Sequence, residues 1–163
     1  MKISHSTKAA FALALTASIG VSSVYAAPKP PTKAEQTQAL EAKNKAMVVK
    51  FYDEFFNKHS IAAADTYLAP DYIQHNPIAA TGREPVKKIF TEIFKKFPQS
   101  RAQIKRVLAD GELVALHIHS KATPNDLGRA VVDIFRVKNG KIVEHWDVVQ
   151  PVPAKSANNN TMF

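Results

Sequence analysis

The chain has no cysteine among its 163 residues, so a disulfide framework, a thiolate metal site and a cysteine nucleophile are all excluded. Glycine is also scarce, and none of the five glycines forms a Gly-rich phosphate-binding loop, so a nucleotide cofactor is not indicated. No serine lies in a Gly-x-Ser-x-Gly turn, which argues against nucleophilic catalysis of that type. There is no internal repeat, and the length suits one domain with its own core.

The positive charge of the chain is moderate and scattered. The formal net charge is +8, and it falls to +6 if residues 1–26, whose charged side chains are Lys2 and Lys8, are removed. No basic groove with interleaved aromatic residues is visible, so nucleic-acid binding is not predicted. An attraction to acidic ligands or to anionic membrane surfaces stays open.

Residues 1–26 have the pattern of a cleavable signal peptide. Lys2 and Lys8 supply the positive start, residues 9–24 are apolar and uncharged, and Ala26 ends a segment that suits a signal peptidase. The apolar stretch is shorter than the ~20 residues that a membrane-spanning helix needs, which favours export over an uncleaved anchor. The sequence therefore predicts a periplasmic or secreted protein with no stable membrane insertion after cleavage.

The remaining chain divides into a tether, one domain and a tail. Residues 27–44 are a Pro-rich tether and the start of the first helix, residues 45–152 form the domain, and residues 153–163 are a polar tail predicted to be disordered. Helical patterns precede strand patterns, which predicts an α+β fold whose helices cross one face of an antiparallel sheet. A pocket is expected between the helices and the sheet.

Three helices are predicted from apolar spacing and capping residues. The first covers residues 35–57, and the second begins at Ser60 as its N-cap and ends near Leu68. Thr81 and Glu84 form a possible capping box before the third. The third helix carries an apolar stripe at helical spacing, formed by Val86, Ile89, Phe90, Ile93, Phe94 and Phe97.

Five strands follow from alternation and turn residues: residues 71–75, 102–108, 113–121, 130–138 and 142–150. Asp110-Gly111 and Asn139-Gly140 are both typical of two-residue hairpin loops. With such loops, Ile104 would lie opposite His117 and Asp133 opposite Trp146. The same register places His145 and Asp147 on the other face, where they would pair with each other or serve a subunit contact.

Asp133 is the most unusual residue of these strands, because two apolar residues flank it on each side. A carboxylate at least half buried there would be costly without a partner. His119 and His117 are candidate neighbours, and a raised affinity for protons would suit Asp133 to proton transfer. An equally weighted alternative is a structural aspartate bonded to a backbone amide or to Arg136.

Other polar residues lie near the ends of the predicted strands. His75 and Asn76 end a short strand. Together with Asp133 they are candidates for one binding site, because strand ends open onto pockets. Trp146 is favoured as a core residue over a substrate platform. The pair His117-x-His119 could begin a metal site completed by His75 or Asp133, but the spacing alone is weak evidence, and no metal is predicted.

Four segments of the chain together resemble the SnoaL-like polyketide cyclase family, within the NTF2-like superfamily. They are Phe51–His59, Tyr72–Pro77, Val132–Arg136 and Gly140–Asp147, and the resemblance covers roughly residues 45–152. It implies a cone-shaped α+β fold in which a curved antiparallel sheet is wrapped by about three helices. Characterised members close a polyketide ring by intramolecular aldol condensation without a metal or an organic cofactor.

The resemblance also assigns roles to residues. It implies that Asp133 is the acid–base group and His119 the pocket histidine, with His75, Asn76, His117 and Trp146 binding substrate. The leading hypothesis is therefore a cofactor-free cyclase or isomerase that acts on a small carbonyl compound. The alternatives are an exported module that binds a small ligand without chemistry, and a protein whose sheet face makes a homodimer, which is also compatible with the first hypothesis.

Overall fold

The computed structural model describes residues 29–163, so the predicted signal peptide lies outside the described residues. Residues 31–163 form one compact unit. No helix among the described residues is long and apolar enough to cross a membrane. The helices are α1 (Lys33–Tyr52), α2 (Ala62–Tyr67) and α3 (Arg83–Lys96), with a π-helical turn (Asp53–Asn57) after α1. The strands are β1 (Leu68–Gln74), β2 (Arg101–Asp110), β3 (Leu113–Lys121), β4 (Arg129–Lys138) and β5 (Lys141–Pro151).

The five strands form one mixed sheet in the order β1-β5-β4-β3-β2. Strands β2 to β5 are antiparallel neighbours, but β1 runs parallel to β5, with Gln74 beside His145. The prediction of a wholly antiparallel sheet is therefore wrong for the edge strand. The reason is that β1 is followed by α3 rather than by a hairpin turn, and only a hairpin forces its two strands to be antiparallel.

Two of the predicted helix caps are wrong, and one cap was missed. The N-cap of α3 is Gly82, and the Thr81 hydroxyl instead accepts a 3.4 Å hydrogen bond from the backbone of β1. Ser60 does not cap α2, which starts after Ile61 without a side-chain cap. Helix α1 begins two residues earlier than predicted, because Thr32 and Glu35 form a reciprocal capping box.

The hydrophobic core lies between the helices and the inner face of the sheet. The inner face carries the fully buried side chains of Val114, Leu116 and Ile118 on β3. Phe55 in the π-helical turn is 1% exposed, and its ring contacts the rings of Phe51, Phe56, Phe90 and Phe94. The aromatic cluster joins α1 and the π-helical turn to α3, so the stripe predicted for the third helix faces the core.

The outer face of the sheet has apolar residues in contact with solvent. Ile73 and Val132 are each 41% exposed, and Val148 is 71% exposed. The last residue of the tail, Phe163, lies over part of this face, although the segment from residue 152 onward contains no helix or strand. Association of two copies through the outer face stays a prediction.

Candidate functional site

A β-bulge in β5 decides which of its side chains enter the interior. The Asn139-Gly140 loop pairs Lys138 with Lys141 as predicted, but Val137 then pairs with Ile142 and Arg136 with Glu144. One residue, at position 143, is therefore extra, and the rest of β5 is shifted relative to the simple register. Asp133 pairs with Asp147 rather than with Trp146. The shift turns His145 and Asp147 to the inner face and Trp146 to the outer face.

Asp133 is buried on β4 between two hydrogen-bonding side chains. It is 5% exposed. The Tyr52 hydroxyl, from the end of α1, donates to its Oδ2 at 2.8 Å, and His145 Nε2 lies 3.0 Å from its Oδ1. Arg136, the structural partner weighed earlier, is bound to Glu144 instead. The buried carboxyl group is thus paired by a tyrosine hydroxyl on one oxygen and by an imidazole on the other.

His145 is held in place from both sides of its ring. Its Nδ1 lies 2.9 Å from Oε1 of Gln74, at the end of the neighbouring strand β1. Its ring stacks on Phe135, with centroids 4.8 Å apart, and lies parallel to Tyr72 at 6.4 Å. The side chain is 9% exposed, so its position is fixed relative to Asp133.

Asp147 provides a second carboxylate on the inner face, one strand away from Asp133. The Asn76 side-chain amide donates to both of its oxygens, at 2.8 and 2.7 Å. The Asn76 Oδ1 accepts from the backbone N–H of Ile78, which fixes the orientation of the amide. Asn76, predicted to bind substrate, therefore lies at the site and holds the second carboxylate.

Two buried tyrosines keep their hydroxyl hydrogens under all ordinary conditions. Burial, and then the nearby charge of Asp133, raises the pKa of Tyr52 well above its usual value. Burial raises the pKa of Tyr72 in the same way, with Asp133 as the second cause. Both hydroxyls are neutral: Tyr52 donates to Asp133, and Tyr72 accepts from Gln74 and keeps a hydrogen of its own.

These groups face a cavity of about 710 Å³ between the helices and the inner face of the sheet. Four of the six residues from Phe51 to Phe56 line it, because the π-helical turn keeps Phe55 and Phe56 on the same side as Phe51 and Tyr52. Apolar side chains of α3 complete the wall. The cavity therefore joins a largely aromatic wall to the cluster of Asp133, His145, Asp147 and Asn76.

The structure places His119 away from Asp133, and the predicted pairing is wrong. Leu116 is the β3 residue opposite Asp133, whereas His119 pairs with Ala130 and lies on the outer face. Its Nε2 lies 2.9 Å from the carbonyl oxygen of Leu127, and its ring stacks on Phe163 at 4.1 Å. His119 is thus a contact of the loop between β3 and β4 rather than a group of the cavity.

The other predicted substrate-binding residues also lie on the outer face. His117 pairs with Val132, and its Nδ1 lies 3.0 Å from an Arg106 guanidinium nitrogen. His117 pairs with Arg106 rather than with Ile104, because the hairpin loop is Gly111-Glu112 instead of the predicted Asp110-Gly111 and the register is shifted by two residues. The rings of His75 and Trp146 stack on each other at 4.7 Å outside the cavity.

Contacts with Glu144 and Trp146 hold His75 on the outer face. Its Nε2 lies 2.9 Å from Glu144, which also binds Arg136. These two partners lower the pKa of Glu144, with the His75 contact as the larger cause. His75 and Trp146 therefore belong to an outer-face network.

A metal ion could be held by a set of residues that shares only Asp133 with the set considered from the sequence. Asp133, His145 and Asp147 each offer one donor atom, and these atoms lie within 4.8 Å of one another. The pair His117-x-His119 points away from Asp133, so the set proposed from its spacing does not form. Of the inner-face donors, however, Asp133 and His145 already bind each other, and Asp147 is bound by Asn76.

Comparison with known proteins identifies the family. The model of the SnoaL-like polyketide cyclases matches residues 46–157. The chain belongs to the SnoaL-like polyketide cyclase family. No curated protein sequence gives a significant match.

Solved structures share the fold of this SnoaL-like domain. AclR, a proposed hydroxylase from Streptomyces galilaeus, is 24% identical with a TM-score of 0.59, over 69% of this chain and 82% of that one. A proposed polyketide cyclase from Bacillus cereus is 22% identical with a TM-score of 0.59, over 73% and 78%. A proposed ketosteroid isomerase from Kribbella flavida is 17% identical with a TM-score of 0.59, over 76% and 89%. At these identities, the likenesses establish the NTF2-like fold alone.

Four residues of the SnoaL-like site were missed or misplaced from the sequence. His145 and Asp147 were assigned to the outer face because the bulge in β5 leaves no clear mark in the sequence. Gln74 and Tyr52 lie within a predicted strand and a predicted helix, and no local pattern marks them as site residues. The sequence did contain an indication for His145 and Asp147. Two ionisable residues on one face of an alternating strand predict that this face is either exposed to solvent or part of a functional site.

Proposed function

We propose that the protein is a cofactor-free acid–base enzyme that moves a proton next to a carbonyl group of a small, largely apolar molecule, as a cyclase or an isomerase. The observation that carries the proposal is the buried Asp133 carboxyl group, bound by Tyr52 and His145 at the wall of an aromatic cavity. A buried carboxyl group that is paired with a histidine in a cleft is a typical acid–base arrangement. The family supports the same kind of chemistry.

The proposed reaction begins with removal of a proton from the carbon beside the substrate carbonyl. The C–H bond breaks, the proton joins a carboxylate oxygen of Asp133, and the electron pair remains on the substrate as an enolate. The Tyr72 hydroxyl lines the cavity and accepts a bond from Gln74 at 3.2 Å, which leaves its own hydrogen to donate to the enolate oxygen. Asp133 then returns the proton to a carbon or an oxygen of the product.

Proton removal can be tested before the natural substrate is known. The expected result is that the protein accelerates exchange of the α-hydrogens of an aryl-substituted β-diketone with deuterium oxide, as followed by proton NMR. Heat-denatured protein serves as the blank, and a parallel reaction contains EDTA. Loss of exchange in EDTA would contradict the cofactor-free proposal and would point to a metal at Asp133, His145 and Asp147. Saturable binding of the diketone without exchange would instead favour the non-catalytic binding module.

A matched pair of histidine variants separates the inner face from the outer face. His145→Asn should lower the exchange rate by about 100-fold, since general acid–base groups typically contribute 10²–10⁴-fold. The same change at His119 should leave the rate within about twofold, because that ring lies on the outer face against the loop at Leu127 and the tail at Phe163. Equal losses in the two variants would show that His145 has no special role.

We also propose that the protein is exported and cleaved after Ala26. Expression of the full chain in a Gram-negative bacterium should give a periplasmic protein whose first residue is Ala27, as measured by intact mass and N-terminal sequencing. The physical reason is the uncharged apolar stretch between Lys8 and the cleavage segment. A cytoplasmic product that keeps Met1 would contradict this proposal and leave the proposed chemistry unaffected.

A further inference from the structure

Gln74 holds two neighbours on a single oxygen. Its Oε1 accepts from the backbone N–H of Asn76 at 3.0 Å and lies 2.9 Å from His145 Nδ1, while its Nε2 donates to the Tyr72 hydroxyl. A backbone N–H can only donate, so the contact with Asn76 determines which end of the Gln74 amide faces His145. The end that faces His145 is the oxygen.

The orientation of the Gln74 amide fixes one hydrogen of His145. An amide oxygen can only accept, so Nδ1 of His145 must carry a hydrogen and donate it. A neutral imidazole has one such hydrogen, which leaves Nε2 as an acceptor. Nε2 carries a second hydrogen only when the ring is positively charged.

The contact between His145 and Asp133 then contains one hydrogen. Tyr52 donates to Oδ2 of Asp133, and Oδ1 faces His145 Nε2 at 3.0 Å. The shared hydrogen lies either on Oδ1, beside a neutral ring, or on Nε2, beside an ionised carboxylate. Both arrangements give the pair no net charge, which suits two side chains that are 5% and 9% exposed.

We propose that Gln74 is a positioning residue: it holds His145 with a hydrogen on Nδ1, so that Asp133 and His145 share a single transferable proton. Its importance for catalysis rests on the function proposed above, whereas the position of the hydrogen can be measured without a substrate. In the form with a charged ring, Asp133 is an ionised base that can take the substrate proton. When that proton leaves again, the pair returns to its starting state with all protons accounted for.

Few other groups that face His145 could supply the proton that it shares with Asp133. Tyr52 from α1 and Tyr72 from β1 are held neutral by burial. Asp133 comes from β4, and Asp147 lies two residues along β5, where the amide of Asn76 binds it. Phe135 covers one face of the ring. Gln74 is thus the group that accepts the hydrogen bond from Nδ1 of His145.

The hydrogen positions of His145 are measured with protein labelled with ¹⁵N in its histidines. Two-bond ¹⁵N–¹H correlation spectra distinguish the hydrogens on Nδ1 and Nε2, and His145→Asn assigns the signal. The wild-type ring is expected to carry a hydrogen on Nδ1 at neutral pH. Gln74→Met, which removes the acceptor at nearly constant length, should move the hydrogen to Nε2. Gln74→Glu keeps an acceptor and should keep Nδ1 protonated.

The matched control is Gln103→Met, at an exposed position of β2, which should leave the His145 signal unchanged. A wild-type ring with its only hydrogen on Nε2 would overturn the proposal, even if every Gln74 variant failed to fold. An unchanged signal in folded Gln74→Met would overturn it as well.

The deuterium-exchange assay connects the hydrogen position to catalysis. Gln74→Met should lower kcat about 10–100-fold, the range that loss of a partner orienting a metal-binding histidine typically costs, with little change in KM. Gln74→Glu, which keeps the acceptor, should recover most of kcat. A hydrogen on Nδ1 with no exchange in wild type would refute the proposed function and keep the positioning role. Exchange in wild type with the hydrogen on Nε2 alone would refute the positioning role and keep the proposed function.

Discussion

Replacing Asp133 by Asn should lower the α-hydrogen exchange rate by about 10²–10⁴-fold, the contribution typical of a general acid–base group. The amide has nearly the shape of the carboxyl group but cannot accept a proton at neutral pH. The neighbours Tyr52 and His145 remain, so little of the cavity changes. The loss should appear in kcat rather than in KM, because the aromatic wall that binds the substrate is untouched.

The control for this change is Asp110→Asn, an exposed aspartate at the end of β2. It makes the same chemical substitution far from the cavity and should leave the exchange rate within about twofold. Circular dichroism and thermal unfolding show whether each variant is folded. Similar exchange rates for folded Asp133→Asn and wild type would remove the central support for the proposed chemistry.

The largest expected effect on stability comes from Phe55→Ala, which should lower the free energy of unfolding by about 3–5 kcal/mol. Phe55 is 1% exposed and contacts rings from both α1 and α3. Its removal leaves a void that the rigid end of α1 cannot fill. Because small domains are stable by only about 5–15 kcal/mol, the midpoint of urea unfolding should fall steeply.

Phe163→Ala makes the matched comparison, since it removes the same side chain from the half-buried end of the tail. It should lower the free energy of unfolding by less than about 1 kcal/mol. A loss for Phe55→Ala no larger than that for Phe163→Ala would mean that the aromatic cluster does not form the core. The urea slope of both variants should equal that of wild type if the unfolded state is unchanged.

Local patterns predicted most of the secondary structure, because each depends on a few neighbouring residues. The stripe from Val86 to Phe97 marked α3, and Asn139-Gly140 marked the last hairpin, where both residues have positive φ. Asp133 was identified as unusual because a charged residue interrupts an apolar strand. The resemblance to the SnoaL-like family correctly indicated the fold.

What could not be predicted depends on contacts between distant strands. The pairing of β3 with β4 is set across the loop of residues 122–128, and no turn motif fixes its register, so His119 was placed beside Asp133 when Leu116 occupies that position. The bulge at position 143 could not be predicted either, because it is defined by how β5 pairs with β4 and no turn residue marks it. The role of Gln74 needed the parallel pairing of β1 with β5, which no hairpin signals.

The bulge in β5 also makes the identity of the reactive surface depend on one unpaired residue. If position 143 were paired in the ladder, every later residue of β5 would meet the next position along β4, so the two sides of the strand would be exchanged as far as its end. Glu144 and Trp146 would then enter the space now occupied by His145 and Asp147. Loss of residue 143 would remove the bulge and leave the later pairs unchanged, whereas gain of one residue directly after it would exchange the two sides. Natural variants with such an insertion would therefore present a different chemical lining while keeping the same architecture, a route by which one scaffold can change its reaction in a single step.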